Sequence, residues 1–205
     1  EIEAAQDGVR PLSTNTLEAL HGDTLRLGRL VDDLHELSMS DLGALSYRKA
    51  DTDILEILAA DLDAFRPRFA AAKLHISLQN PLTEPQILWV DGHRLSQLFR
   101  NLLHNSLQYT DPGGELRILL SLTPGELILD FQDTAPGVPE EAMNHLFDRL
   151  YRVESSRSRN SGGAGLGLAI VHNIAEAHGG HISAQCSPLG GLWIRLRLPL
   201  RGANP

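Results

Sequence analysis

Apolar positions in the first forty residues recur at helical spacing. From Ser13 to about Ser40 they form a seam in steps of three and four, with one polar member: Leu17, Leu20, Thr24, Leu27, Val31 and Leu34. This seam is typical of a coiled coil or four-helix bundle. Arg10-Pro11-Leu12-Ser13 predicts the end of an earlier helix over Glu1–Val9 and an N-cap for the second helix. Two short helices cannot bury the seam alone, so they either pack on the rest of the chain or, as we favour, dimerise through a bundle.

From about Tyr47, predicted strands alternate with predicted helices, which indicates an α/β sandwich. Asp53 is predicted to cap a helix in which Pro67 implies a kink or an early end, and its expected buried stripe is Leu55, Leu58, Leu62, Phe65 and Phe69. The other predicted helices are Asp91–Tyr109, Glu140–Phe147 and about Gly165–Ala177. The predicted strands are His75–Gln79, Gln86–Val90, a hairpin of Glu115–Leu122 with Glu126–Gln132, and a closing hairpin of His181–Ser187 with Leu192–Leu198. Arg152–Ala164 has little to bury and is expected to be mobile.

Composition and charge narrow the classes of partner. The chain has 205 residues, of which 42% are hydrophobic, and a formal net charge of −8. It has no basic stripe, so a nucleic-acid partner is not expected. Its apolar runs are far shorter than the roughly 18 residues that a membrane span needs, so this chain should make no direct membrane contact. Cys186 is the only cysteine. An intrachain disulfide is therefore impossible, and the cytosol is the default compartment.

The predicted helix Asp91–Tyr109 separates apolar from polar side chains. At about 100° per residue its apolar arc contains Leu95, Leu98, Phe99, Leu102, Leu103 and Ser106. Asn101 lies on the opposite arc and Asn105 at the edge between the two. An uncharged oxygen beside an apolar wall suits Mg²⁺, which keeps waters and phosphates as its other ligands. Taken alone, a solvated polar face is the simpler interpretation.

Two turn motifs follow, and each is weak evidence by itself. Asp133-Thr134-Ala135-Pro136-Gly137 comes at the end of a predicted strand, where a carboxylate can accept from an exocyclic amine such as that of adenine. Gly162-Gly163-Ala164-Gly165-Leu166-Gly167-Leu168 comes directly before a predicted helix, whose N-terminal amides can bind phosphate. It is neither a dinucleotide fingerprint nor a P-loop, because no strand directly precedes it and no Gly-Lys-Ser/Thr follows.

The order and spacing of these motifs, together with Phe147-Asp148-Arg149-Leu150-Tyr151, resemble the ATP-binding motifs of bacterial sensor histidine kinases. The resemblance covers essentially the whole chain and is strongest to an envelope-stress branch of that family. It implies a partial antiparallel dimerisation and phosphoacceptor hairpin over residues 1–46. An ATP-binding domain over residues 47–205 would follow, with the two-layer α/β sandwich of the histidine kinase, gyrase, chaperone and mismatch-repair ATPases.

The resemblance also implies roles for individual residues. Asn105 would bind Mg²⁺, with Asn101 one turn before it on the nucleotide face. Asp133 would bind the adenine amine, Tyr109 would lie near the base, and Gly137 would keep the pocket floor open. Phe147 and Arg149 would belong to a flexible lid. The backbone around the glycine loop would bind the phosphates, through Gly163, Gly165, Leu166, Gly167 and Leu168.

Three departures from the family pattern qualify this interpretation. Ala135 stands where the family usually has glycine, and Gln108 where lysine or arginine is common, so ATP affinity could be weakened. The acceptor motif, a histidine followed by Glu/Asp-Leu-Arg/Lys-x-Pro, does not occur. His35-Glu36-Leu37 is not a substitute, because Ser38-Met39-Ser40 follows it at the end of the second helix. The chain is therefore expected to bind ATP and to lack an acceptor histidine and catalytic residues of its own.

The function implied is that of a histidine protein kinase fragment that uses ATP and Mg²⁺. In the intact parent, expected to be a homodimer anchored in the bacterial inner membrane with this region on the cytoplasmic face, the phosphoryl group would pass to a response-regulator aspartate. Two alternatives stay open. One is an ATPase of the same fold, although such enzymes have a glutamate where this chain has Asn101. The other is a dimerisation or docking module without nucleotide.

Overall fold

A computed structural model describes residues 13–41, 46–134, 136–153 and 164–200 of the chain. It begins with one long helix, α1, over Thr14–Asp41. The Ser13 hydroxyl accepts from the backbone N–H of Thr16 at 3.2 Å, so the predicted N-cap is confirmed. The helix predicted over Glu1–Val9 lies outside the described residues.

The remaining elements alternate as the sequence predicts. The helices are α2 (Ile54–Ala71), α3 (Gly92–Tyr109), α4 (Glu140–Met143) and α5 (Gly167–Ala177). The strands are β1 (Ala50–Asp53), β2 (His75–Gln79), β3 (Ile87–Val90), β4 (Glu115–Thr123), β5 (Glu126–Thr134), β6 (His181–Cys186) and β7 (Gly190–Pro199). Five strands form a mixed sheet in the order β2-β4-β5-β7-β6, in which only the β2–β4 pair is parallel, and β1 pairs separately with β3.

One hydrophobic core joins the helices to the sheet. Alternate residues of the central strands, such as Leu127, Leu129 and Phe131 of β5, pack with buried side chains of α2, α3 and α5. The buried residues of α3 are Leu95, Leu98, Phe99, Leu102, Leu103 and Ser106, which is the arc predicted from helical periodicity. The other arc of α3 is therefore available for polar chemistry. The predicted two-layer α/β sandwich is confirmed.

The long helix α1 is covered only in part. Near its C-terminal end it contacts α5, and Leu37 is buried in the core cluster. Four members of the predicted seam are between 53% and 66% exposed: Leu17, Leu27, Val31 and Leu34. Within a single chain, most of the seam therefore has no cover. The boundary between residues 46 and 47 stays a prediction.

Three details differ from the expectations. The early end of α2 at Pro67 is wrong, because α2 continues to Ala71 with Pro67 exposed, where water can satisfy the carbonyl that loses its partner. Leu55 is only half-buried, and Ile54 lies in the core instead. The helix expected over Glu140–Phe147 ends at Met143 and gives way to turns.

Most of Arg152–Ala164, which we expected to be mobile, lies outside the described residues. No helix in the described ranges combines the length and hydrophobicity that crossing a membrane requires.

Candidate functional site

A buried carboxylate lies at the centre of the candidate site. Asp133, near the end of β5, is only 6% exposed. Its Oδ1 accepts from the backbone N–H of Leu192 in β7 at 2.6 Å, and its Oδ2 accepts from the hydroxyl of Ser106 in α3 at 3.1 Å. Asp133 therefore ties the sheet to the helix that carries the predicted magnesium ligand.

The environment of Asp133 is unfavourable for its negative charge. Burial raises the pKa of Asp133 to about 6, while the hydrogen bonds from Leu192 and Ser106 act in the opposite direction. Both donors are neutral, so they offset only part of the cost of removing the carboxylate from water. Each carboxylate oxygen can accept more than one hydrogen bond, which leaves capacity for a further donor.

Two glycines allow the backbone to approach this carboxylate closely. A Cβ on Gly191 would overlap the Asp133 carboxylate and stand 2.6 Å from the Asp133 carbonyl oxygen. The β5–β7 register shifts between Gln132 and Thr134 at this point. A Cβ on Gly137 would stand 3.0 Å from the carbonyl oxygen of Gly190, so Gly137 lies against the start of β7. Larger side chains at either position would displace the strand from the carboxylate.

The polar residues of α3 lie close along the helix to the one that binds Asp133. Ser106, which binds Asp133, follows Asn105 directly, and Asn101 and Tyr109 lie one turn to either side of Asn105. All of Asn101, Asn105 and Tyr109 are half-buried. A Cβ on Gly167, the first residue of α5, would stand 3.5 Å from the side-chain oxygen of Asn101. Thus the start of α5 and the amide-bearing face of α3 are adjacent.

The segment that carries the predicted lid residues Phe147 and Arg149 contacts the glycine loop and α5. The N–H of Leu150 donates to the carbonyl of Gly165 at 2.9 Å, and a Cβ on Gly165, where φ is +74°, would stand 2.6 Å from the Tyr151 carbonyl. The ring of Phe147 lies 5.7 Å from that of His172 in α5. Gly165 is therefore required by both its conformation and its neighbours.

The other predicted residues are less informative. Leu166 is buried, Leu168 is half-buried and Arg149 is exposed. Gly163 and Ala135 lie outside the described residues. The sequence motifs did not predict the contributions of Ser106, Gly191 and the Leu192 amide. A Gly-Gly pair interrupting a strand pattern is a signal for a bulge or close backbone approach, and it could have pointed to Gly191.

The Histidine kinase-, DNA gyrase B-, and HSP90-like ATPase family matches residues 90–202, more than half of the chain. The chain belongs to this family. It is 50% identical over 202 residues to the signal transduction histidine-protein kinase BaeS of Escherichia coli strain K12, covering 98% of the chain and 42% of that protein. The predicted resemblance to sensor histidine kinases, and to their envelope-stress branch, is thereby confirmed.

Solved structures agree with this assignment. The Acinetobacter baumannii histidine kinase AdeS matches with a TM-score of 0.82 at 25% identity, over 98% of this chain and 92% of that one. Full-length ShkA in complex with AMPPNP matches with a TM-score of 0.76 at 25% identity, over 93% of this chain and 40% of that one. The chain spans about two fifths of the length of BaeS.

Proposed function

We propose that this chain is the ATP-binding catalytic region that phosphorylates a histidine on a dimerisation hairpin for relay to a response regulator. The observation that carries the proposal is Asp133, a buried carboxylate with neutral donors and spare acceptor capacity. Adenine offers an amine N–H that such a carboxylate can bind. The family assignment, and the AMPPNP complex of the relative ShkA, support the same ligand class.

The rest of the site fits the other parts of ATP. Asn105 would supply a hard oxygen to Mg²⁺, which when bound would neutralise charge on the triphosphate. The Gly165–Leu168 segment opens α5, so its amides and the helix dipole favour phosphate, and Asn101 lies beside them. Tyr109 would lie near the base. Gly137 and Gly191 would keep the strand close to Asp133 and the pocket open.

The chemistry asked of these residues is mainly positioning. In the intact protein, a histidine nitrogen would attack the γ-phosphorus, the bond from that phosphorus to the β–γ bridging oxygen would break, and ADP would leave. This chain would hold the nucleotide in line, and the segment around Phe147 and Arg149 would exclude water. Asn101 stands where a hydrolytic relative would need a glutamate base, which favours transfer to a protein acceptor over hydrolysis.

Calorimetric titration with AMPPNP tests the ATP site directly. At pH 8 with Mg²⁺ we expect binding that Asp133→Asn weakens by about 100-fold, because the amide presents a donor towards the adenine amine where a carboxylate presents only acceptors. Omitting Mg²⁺ should also weaken binding. Asn105→Ala should abolish that magnesium dependence and leave the residual affinity.

Asp130→Asn is a matched control, since Asp130 is equally buried on the same strand but bonds to β7 side chains instead. It should bind AMPPNP like the unsubstituted chain, with folding checked by circular dichroism. Undetectable binding by the folded, unsubstituted chain would contradict the proposal and favour a dimerisation or docking module.

We also propose that α1 contributes to a homodimer in the intact protein. The exposed seam of Leu17, Leu27, Val31 and Leu34 supports this, because a helix rarely leaves such a stripe in water. Val31→Asp should lower the dimer fraction in sedimentation equilibrium of a version that includes the upstream helix. Glu18→Asp, on the same exposed helix, should leave it unchanged.

A response regulator is the partner that the BaeS relationship favours for the phosphoryl group, and the cytoplasmic face of the inner membrane is the corresponding location. Co-incubation of the phosphorylated parent with a candidate regulator should move radiolabel from histidine to aspartate. Alkali-stable label on the regulator would contradict this, because an acyl phosphate hydrolyses in alkali whereas phosphohistidine survives it. Retention of all label on the kinase would exclude that regulator.

A further inference from the structure

A buried histidine lies where three parts of the fold meet. His178 caps the C-terminus of α5 and is only 5% exposed. Its Nδ1 is 2.7 Å from the carbonyl oxygen of Ile174, and its Nε2 is 3.0 Å from the backbone nitrogen of Asp91. The Asp91 N–H can only donate, so Nε2 accepts and Nδ1 carries the proton. His178 is thus neutral and uses both ring nitrogens.

The partner of His178 is the N-cap of α3. Asp91 accepts from the backbone N–H groups of His93 and Arg94 through Oδ1, which fixes the first turn of α3. Through Oδ2 it accepts from the backbone N–H of Arg48 at 2.8 Å. The histidine therefore connects the end of α5 to the start of α3, and Asp91 extends this connection to the segment before β1.

That segment, Ser46–Lys49, is the described part of the connection from α1, and we refer to it as the linker. The ring of Tyr47 meets His178 edge-on, with centroids 5.3 Å apart and planes at 86°. The Lys49 ammonium donates to the carbonyl of Ala177 in the last turn of α5 at 2.7 Å. Residues 42–45 lie outside the described residues. Two linker side chains therefore contact the end of α5.

We propose that His178 is a positioning residue that holds the linker against the two nucleotide-binding helices and so helps to orient the ATP site relative to the acceptor helix. The inference rests on the proposed function. Its physical basis is that α3 carries Asn101 and Asn105, α5 begins at the glycine loop, and the linker leads to α1. A single buried imidazole, at the opposite end of α5 from the glycine loop, joins all three elements.

The charges around His178 favour the state that this role needs. Burial is the main cause that lowers the pKa of His178, and Lys49 on the linker acts in the same direction. Asp91 and the hydrogen bond to Ile174 oppose it. The ring stays neutral at physiological pH, so Nε2 remains an acceptor for the Asp91 N–H.

Amide hydrogen exchange in this chain, without nucleotide, tests the His178–Asp91 hydrogen bond independently of any kinase activity. His178→Asn keeps a donor near Nδ1 but removes the acceptor, so exchange at the Asp91 amide should accelerate by at least about tenfold. His178→Gln places an oxygen near Nε2 and should restore protection to within about threefold. His181→Asn, an exposed histidine three residues later, is the matched control and should change nothing.

Kinetics in a longer version that supplies an upstream acceptor histidine test the positioning role. His178→Asn should lower kcat for autophosphorylation by about tenfold and leave the KM for ATP within about twofold, because the ATP contacts are untouched. His178→Gln should recover most of the rate. Lys49→Met removes the contact to Ala177 and the Lys49 charge near His178 but leaves the His178–Asp91 hydrogen bond in place. It should lower kcat by about threefold and serves if His178→Asn does not fold.

The possible outcomes distinguish the positioning role of His178 from the proposed ATP-binding function. An unchanged exchange rate of the Asp91 amide in folded His178→Asn would show that His178 does not hold the start of α3. Accelerated exchange with an unchanged kcat in both His178→Asn and Lys49→Met would overturn the positioning role and leave His178 purely structural. Failure of the unsubstituted protein to bind AMPPNP would instead contradict the proposed function, whatever the exchange data show.

Discussion

The two faces of β5 carry buried aspartates in opposite electrostatic environments. Asp130 and Asp133 are 7% and 6% exposed and lie three residues apart. Asp130 accepts from the Arg195 guanidinium at 2.7 and 3.1 Å and from the Trp193 indole N–H at 2.7 Å. Asp133, on the core side, accepts within the described residues from two neutral groups, the Leu192 amide and the Ser106 hydroxyl.

This difference separates a structural carboxylate from one suited to a ligand. Arg195 neutralises Asp130, and the pair raises the pKa of Arg195, so a ligand would have little to add there. The charge of Asp133 is offset incompletely, so an N–H donor from a ligand would relieve part of the burial cost. Burial of Asp133 therefore costs stability, and under the proposed function the same burial would provide recognition of the adenine amine.

The largest expected effect is on the structural side. Asp130→Ala leaves the Arg195 guanidinium and the Trp193 N–H without their acceptor, and should lower the free energy of unfolding by about 3 kcal/mol. Urea unfolding at pH 7.5 measures it. Asp130→Asn, which keeps an acceptor oxygen, should lose about half as much. A loss from Asp130→Ala below about 1 kcal/mol would place the pair among ordinary surface ion pairs and remove the contrast.

Asp133→Asn should raise the free energy of unfolding, whereas Asp130→Ala should lower it. The folded pKa of Asp133 is raised to about 6 from 3.8, so the ionised group destabilises the fold above that range. Asparagine can accept from Leu192 and donate to Ser106 without a charge. We expect a gain of about 1–2 kcal/mol at pH 8, below the limit of roughly 3 kcal/mol that the full shift implies.

The pH dependence of that gain provides its control. Wild-type stability should fall between about pH 4 and pH 6 because of Asp133 ionisation, so the advantage of Asp133→Asn should shrink as the pH is lowered and vanish near pH 4. Urea unfolding of both chains at pH 4.5 and pH 8 measures the difference. A destabilised Asp133→Asn at pH 8 would show that the charge is well accommodated.

The sequence predicted most of the helices and strands around the two aspartates but not the contacts that distinguish them. Helical periodicity identified the buried arc of α3 because burial follows the 3.6-residue repeat, and Asp53 and Asp91 marked helix starts through local capping. The strand β1, Ala50-Asp51-Thr52-Asp53, was missed because it has no large apolar residue and pairs with the distant β3.

The environment of Asp133 could not be derived from the motif alone. Its partners Ser106 and Leu192 are 27 and 59 residues away in sequence, and only the packing of α3 and β7 on β5 brings them together. The same holds for His178, whose Asp91 partner is 87 residues away. Local patterns predict elements, whereas these contacts depend on how the elements dock.

Nucleotide binding should itself depend on the pH. The carboxylate must be ionised to offer only acceptors, so affinity for AMPPNP should be constant above about pH 7 and fall by about tenfold at pH 5, where a group of pKa about 6 is mostly protonated. Calorimetry across this range measures the step. The step should be missing in Asp133→Asn, and a step that persists there would assign it to another group.

The smallest effect is expected at Ser106, which donates to Asp133 from the helix α3, whereas the Leu192 amide donates from the strand β7. Ser106→Ala removes the hydroxyl that lowers the pKa of Asp133, so the pH step in AMPPNP binding should move upward and affinity at pH 7 should fall by about two- to threefold. Affinity at pH 8.5 should be nearly restored, because ionisation is then complete in both chains. Ser121→Ala, on the exposed end of β4, is the control and should leave the step in place. A loss that stays the same at pH 7 and pH 8.5 would mean that Ser106 acts through the shape of the pocket and that the charge of Asp133 is governed from the strand alone.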